Sequence, residues 1–218
     1  MAEVGTEALD GRFVLRWVHQ FAAALHRERD FLTQLDAAIG DADHGVNMDR
    51  GFTAVLAKVD GTDELAPGPM FETVGTTLVL SVGGAAGPLY GSAIREMGRT
   101  LGDVGTFDGE DLLRLLRVGL DEVQRLGAAV PGDKTMVDAL VPAIEGFEHG
   151  LRAGDALTAA LARASAAAQE GARATVPLQA RKGRASYLGS RSIGHQDPGA
   201  TSTALLVAAF EGAAGAPT

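Results

Sequence analysis

The segment Asp36-Ala37-Ala38-Ile39-Gly40-Asp41-Ala42-Asp43-His44-Gly45-Val46-Asn47 sets three carboxylates at the end of one apolar-periodic run and in the glycine-flanked turn after it. Three such charges about 4 Å apart repel by several kcal/mol at modest dielectric, so a cation among them would relieve a real cost. Hard oxygen donors suit Mg2+, which shares its shell among a few carboxylates, waters and substrate phosphates. The plainer alternative is a solvated acidic turn in which Asp41 and Asp43 cap a helix beginning near Asn47. An EF-hand is excluded, because its ligand ladder and terminal Glu are missing.

Two further groups bear on anions. Gly83-Gly84-Ala85-Ala86-Gly87-Pro88 opens an apolar run, and small residues let backbone N–H groups at a helix start approach a phosphate. It is neither a Walker A loop nor a GxGxxG after a strand. Near the other end, Lys182-Gly183-Arg184 and Arg191 bring positive charge, followed by His195-Gln196-Asp197-Pro198-Gly199. A guanidinium at Arg184 has the fork to meet phosphate oxygens. Each of these is also readable as an ordinary turn or basic loop, and Asp133 and Thr135 in Gly132-Asp133-Lys134-Thr135-Met136 as helix caps. His44 and His195 invite a phosphocarrier role, against which stands the commoner structural use of loop histidines.

Helices must position these groups. Val14, Val18, Phe21 and Leu25 share a helical face from Asp10, and Phe31, Leu35 and Ile39 continue it beyond a bend expected at Arg27-Glu28-Arg29-Asp30. Met48, Phe52, Val55 and Val59 define a second helix, ending before a turn-rich stretch, Gly61 to Pro69. Met70 to Val82 has a strand-like tail, but Phe71, Val74, Leu78 and Val82 keep helical steps, which predicts a helix. Pro88 suits the first position of the next one, through Leu101. Further helices are predicted over Asp108 to Leu126, Thr135 to His149, Asp155 to Thr175 (with Asp155 as its cap) and Thr201 to Gly212. The basic stretch Arg181 to Arg191 and the loop Ser192 to Gly199 lie between the last two. About eight helices with short connections favour antiparallel neighbours in an up-and-down, all-α assembly.

Composition narrows the class. The 218 residues fit one domain with an ordered core over about 10–212, and 46% hydrophobic with 22% charged residues is globular. The excess of 28 acidic over 19 basic residues argues against nucleic acid and anionic membranes as partners. The chain has no Cys, which excludes disulfides, thiolate catalysis and Cys-based metal sites. Met1 to Val4 show no signal-peptide pattern, and no apolar run is long enough to span a bilayer, so a cytoplasmic location is expected.

Taken together, the segments Gly40–Met48, Gly83–Gly91, Gly132–Met136, Lys182–Gly189 and Ser192–Ala200 resemble the L-subunit family of dihydroxyacetone kinases, in the family's order. The resemblance covers nearly the whole chain and implies an antiparallel eight-helix barrel with nucleotide bound at one end. It implies Mg2+ held by Asp36, Asp41 and Asp43, and ADP or ATP met by His44, Gly45, Val46, Asn47, Ala85, Ala86, Gly127, Met136, Arg184, Asp197, Pro198 and Gly199. It further implies phosphoryl transfer to dihydroxyacetone or a related small ketose held on a separate K subunit, without which this chain is inactive. A phosphotransferase-system M subunit rephosphorylates bound ADP in one form of the family and free ATP serves in another; donor, ketose and a homodimer stay open. A nucleotide-sensing regulatory module is the alternative. Two departures stand out. The family usually has Ser at Ala86, removing a hydroxyl, and often Gly at Ala42, where Ala leads one to expect an ordinary negative φ.

Overall fold

The computed structural model describes residues 7–61 and 66–215. The reading of Met1 to Val4 and part of the turn expected after Gly61 lie outside them. Among the described residues are eight α-helices: α1 Gly11–Ile39, α2 His44–Val59, α3 Pro67–Ser81, α4 Ala86–Leu101, α5 Gly109–Gly127, α6 Val137–Ala153, α7 Leu157–Ala174 and α8 Pro198–Gly215. A 3₁₀ segment, Arg184–Ser192, precedes α8. No strand occurs among the described residues beyond an isolated bridge between Leu9 and Phe107. No described helix is long and apolar enough to cross a membrane.

Local chemistry explains the boundaries. The Asp10 carboxylate accepts the N–H groups of Arg12 and Phe13 at 2.9 and 3.1 Å and starts α1. No break occurs at Arg27–Asp30, where a bend or break is expected from the sequence: α1 is continuous through it. Those charges lie on the outer side, while Leu25 and Leu32, two turns apart, keep the buried stripe continuous. The strand-like end of α3 is helical: Phe71, Val74 and Leu78 are buried, and the Thr77 and Ser81 hydroxyls donate to Thr73 O and Thr77 O at 2.8 and 2.6 Å. Helix α4 begins two residues before Pro88, whose missing N–H costs nothing in a first turn. Asp108 and Asp111 form a capping box on α5.

Two expected helix starts are corrected. Asp155 does not cap α7, whose N-cap position is taken by Ala156; its carboxylate pairs with Arg163 at 2.5 Å. Helix α8 starts at Pro198 instead of Thr201, because the Asp197 carboxylate accepts the Ala200 N–H at 2.7 Å with proline in the first position.

Each helix packs against the next in sequence, and α8 packs back on α1, which closes the ring. Trp17 of α1 stacks on Phe210 of α8 at 4.7 Å, and its indole N–H donates to Leu206 O at 3.3 Å. Phe13, Phe71 and Phe107 extend this aromatic cluster toward the α4–α5 connection. Helices α3 and α4 approach closely enough that a Cβ on Gly91 would lie 2.7 Å from Gly75 O and 2.8 Å from Val79 N. Up-and-down connectivity sends the α1–α2, α3–α4, α5–α6 and α7–α8 connections to one end of the ring.

Candidate functional site

A cavity of about 340 Å3 opens at that end and is lined from all four connections. Helices α2, α4, α6 and α8 therefore all begin at it. Their N-terminal partial positive charges add to a field that suits a polyanion.

The α1–α2 turn supplies the acids. Asp36, buried in the last turn of α1, accepts the N–H groups of Asp43 and His44 on Oδ2 at 2.8 and 3.1 Å. Asp36 is thus the cap of α2, and the expected capping by Asp41 and Asp43 is corrected: Asp43 stands at the N-cap position with no side-chain bond to the helix. Ligand oxygens of Asp36, Asp41 and Asp43 lie within 4.8 Å of one another. That donor set fits a hard divalent cation such as Mg2+, and Arg184 Nε, 3.0 Å from Asp41, already offsets part of the charge. The expectation for Ala42 is overturned. Its φ is +62°, the left-handed geometry that glycine adopts freely, and for alanine this costs about 1 kcal/mol or more.

His44 is half-buried with Nε2 2.9 Å from Ser202 Oγ. Ser202 Oγ lies 2.8 Å from Tyr90 OH, which also meets Thr203 Oγ1 at 2.7 Å and Gly199 O at 3.1 Å. The network bolts the acidic turn to α4 and to the start of α8. Burial pushes the His44 imidazole below its usual range although Asp36 and Asp43 oppose this. Burial likewise pushes Tyr90 up to about 12. Asn47 lines the cavity with Oδ1 taken by Arg50 at 2.8 Å, which leaves its amide N–H donors for a ligand.

Gly83, Gly84, Ala85 and Ala86 line the cavity at the start of α4, which has no side-chain cap, so its first N–H groups are available to an anion. Leu89, Val123, Met136 and Val137, with Gly127 and Ala129, supply an apolar wall suited to a flat base. From the α7–α8 side come Arg184, Asp197, Pro198 and Gly199. Burial pushes the Asp197 carboxyl up to about 7, against the Ala200 N–H and Lys134, which hold it down.

The structure brings together every site residue expected from the sequence except two. Gly45 and Val46 do not line the cavity. Gly45 is where α2 crosses α1, with a Cβ having no room against Arg29 O and only 2.5 Å to Thr33 Oγ1, and Val46 faces outward. His195 is exposed outside the cavity. Sequence reasoning missed Tyr90, Ser202 and Lys134 as site residues. Lys134 lies inside a quoted motif, but a lysine carries no mark of burial in a sequence. Asp133 and Thr135 do serve locally, accepting Val130 N at 3.0 Å and Val137 N at 3.2 Å.

A family model described as the DAK2 domain matches residues 38–212. Over 194 residues the chain is 42% identical to the ADP-binding subunit of the PEP-dependent dihydroxyacetone kinase of Escherichia coli, spanning 89% of this chain and 92% of that one. It is 39% identical to the ADP-binding subunit of PEP-dependent dihydroxyacetone kinase 1 of Listeria innocua, over 90% and 93% of the two. The crystal structure of the dihydroxyacetone kinase of C. freundii with AMP-PNP and Mg2+ superposes with a TM-score of 0.70 at 25% identity. That match covers 97% of this chain but only 36% of the longer one.

Proposed function

The chain belongs to the DAK2-domain family, and from that premise we propose that it is the nucleotide-carrying subunit of a dihydroxyacetone kinase, a phosphotransferase component that works with a separate acceptor-holding subunit. The observation that carries the reading is the cluster of Asp36, Asp41 and Asp43 at a cavity on which four helix N-termini converge. The three carboxylates would hold Mg2+, which when bound neutralises phosphate charge and orients it for transfer. Asn47, the backbone of Ala85 and Ala86, Arg184 and the start of α8 would meet the phosphates of ADP or ATP, while Leu89, Val123, Met136 and Gly127 receive the base. With Ala86 in place of the usual Ser, only main-chain donors serve at that point. His44 stays fixed by Ser202 as part of the wall.

The acceptor, dihydroxyacetone or a related ketose, would be presented by a K subunit docking over the mouth. Exposed Val46, Leu80, Leu126, Val130 and Tyr187 all lie in or beside the connections that line the cavity, an apolar rim suited to a protein partner. The relatives named as PEP-dependent favour bound ADP that is rephosphorylated in place by a phosphotransferase-system subunit. They also favour a kinase subunit over a nucleotide-sensing module. We read the ring as one domain. Native mass spectrometry of the purified protein is expected to show one retained ADP with Mg2+, and phosphorylation of dihydroxyacetone is expected only after a K-type subunit and a donor are added. A protein that retains no nucleotide and gains no stability from Mg-ADP would overturn the reading.

A further inference from the structure

Between α7 and α8 the chain makes a long excursion, residues 176–196, that passes over the cavity and returns. Its two ends are tied at one point. Lys134 Nζ donates to Thr175 O at 2.6 Å and to His195 O. Asp197 N donates to Thr175 Oγ1 at 2.9 Å, and Gly194 N to Val176 O at 2.8 Å. The neighbouring residue also grips the excursion: Asp133 O accepts Arg181 N at 3.1 Å. Lys134 is 1% exposed and has φ of +64°, a backbone geometry unfavourable to a side-chain-bearing residue and sustained only where the surroundings over-determine it. Its charge also sits at the C-terminal end of α7, where carbonyl dipoles favour a cation.

We infer that Lys134 is a positioning residue of the nucleotide site: it ties the neck of the 176–196 strap and so sets Gly183 and Arg184 over the cavity. Two of its three ammonium protons are used on the neck, and no described carboxylate lies within ion-pair distance of it. Beyond the neck the strap is held by the Arg181 N–Asp133 O bond, a small cluster of Ile39, Ala180, Ala185 and Leu188 and the Arg184–Asp41 pair. The Arg184 side of the site therefore depends on the tie. The inference rests on the nucleotide reading above.

The test combines Lys134→Met, which keeps most of the side-chain volume and removes the charge, with Arg184→Ala. Tryptic cleavage after Arg181, Lys182 and Arg184 is expected to rise about tenfold or more in Lys134→Met with unchanged helical content. The Mg-ADP dissociation constant is expected to rise about tenfold, and to rise less than about twofold when Arg184 is already Ala, because both changes remove the same contact. Unchanged cleavage overturns the inference. So do losses that add in the double variant, the mark of a lysine that meets the phosphates itself. Titration of the wild type stands apart: if it binds no Mg-ADP, the nucleotide reading fails, while the cleavage comparison still judges the tie. Should Lys134→Met not fold, Thr175→Val removes another bond of the same neck and must show both changes in weaker form; a strap as protected as in the wild type would overturn the inference.

Discussion

Asp36 accepts two backbone N–H groups on Oδ2 while it shares the acidic cluster with Asp41 and Asp43, whose carboxylates cap nothing. Substitution separates the two duties. Asp36→Ala is expected to lower the stability of the ligand-free protein by about 1–2 kcal/mol through loss of the cap and also to abolish stabilisation by Mg-ADP. Asp43→Asn is expected to lose the ligand effect with ligand-free stability unchanged or slightly raised, since one like charge is gone. Melting with and without Mg-ADP reads both, and equal ligand stabilisation of Asp43→Asn and wild type would make the cluster structural. Asp197 gives a second signature. Its folded pKa of about 7 lies above the ordinary 3.8, so the folded state keeps a proton that the unfolded chain releases. The resulting destabilisation is absent below about pH 4, grows as pH rises, and is complete above about pH 7, at a few kcal/mol. Asp197→Asn, which preserves the cap, is expected to flatten that part of the stability profile in urea unfolding at pH 5 and 7.5; an identical slope would show that the carboxyl ionises normally.

The α3–α4 pair shows what glycine does inside a helix here. Gly91→Ala places a methyl 2.7 Å from Gly75 O and from Val79 Cγ2, so the helices must part, at a cost of about 1–3 kcal/mol. Gly119→Ala on α5 meets nothing nearer than Met97 Sδ at 3.4 Å, ordinary contact, and the gain in helix propensity makes it neutral or stabilising by up to about 1 kcal/mol. Denaturant midpoints of the two variants check the contrast, which fails if both move alike. Helix identity was legible in the sequence because Phe71, Val74 and Leu78 keep helical steps through a strand-like stretch. The acidic cluster and the Gly83–Ala86 turn were legible too, since residue type and order mark them. What was not legible depended on partners distant in sequence. Leu25 and Leu32 carry α1 straight through a charged stretch because the core holds both. Asp36 caps a helix seven residues away, which local cap rules do not foresee. Ala42 takes a left-handed φ that the α1–α2 reversal imposes whatever residue stands there. Gly45 belongs to a recognisable motif yet serves helix crossing rather than the cavity.

At the scale of the molecule, ring closure by α8 on α1 places four connections around one mouth and leaves the others at the far end. Helix α1 runs toward the mouth and α8 runs away from it, so the first and last described helical turns meet on the far side: Arg16 Nε donates to Ala213 O at 3.0 Å, and Phe13 stacks on Phe210. An even number of helices in a closed up-and-down ring makes this a matter of parity. A neighbouring domain joined through either α1 or α8 would hang from the floor of the barrel, opposite the opening. The ring can therefore be carried as a free-standing subunit or threaded into a longer polypeptide, such as the C. freundii kinase of which this chain spans 36%, without a tether crossing its mouth. By the same parity, a short linker from Gly215 back to Asp10 would yield a circular permutant whose new ends could be cut at any far-side connection.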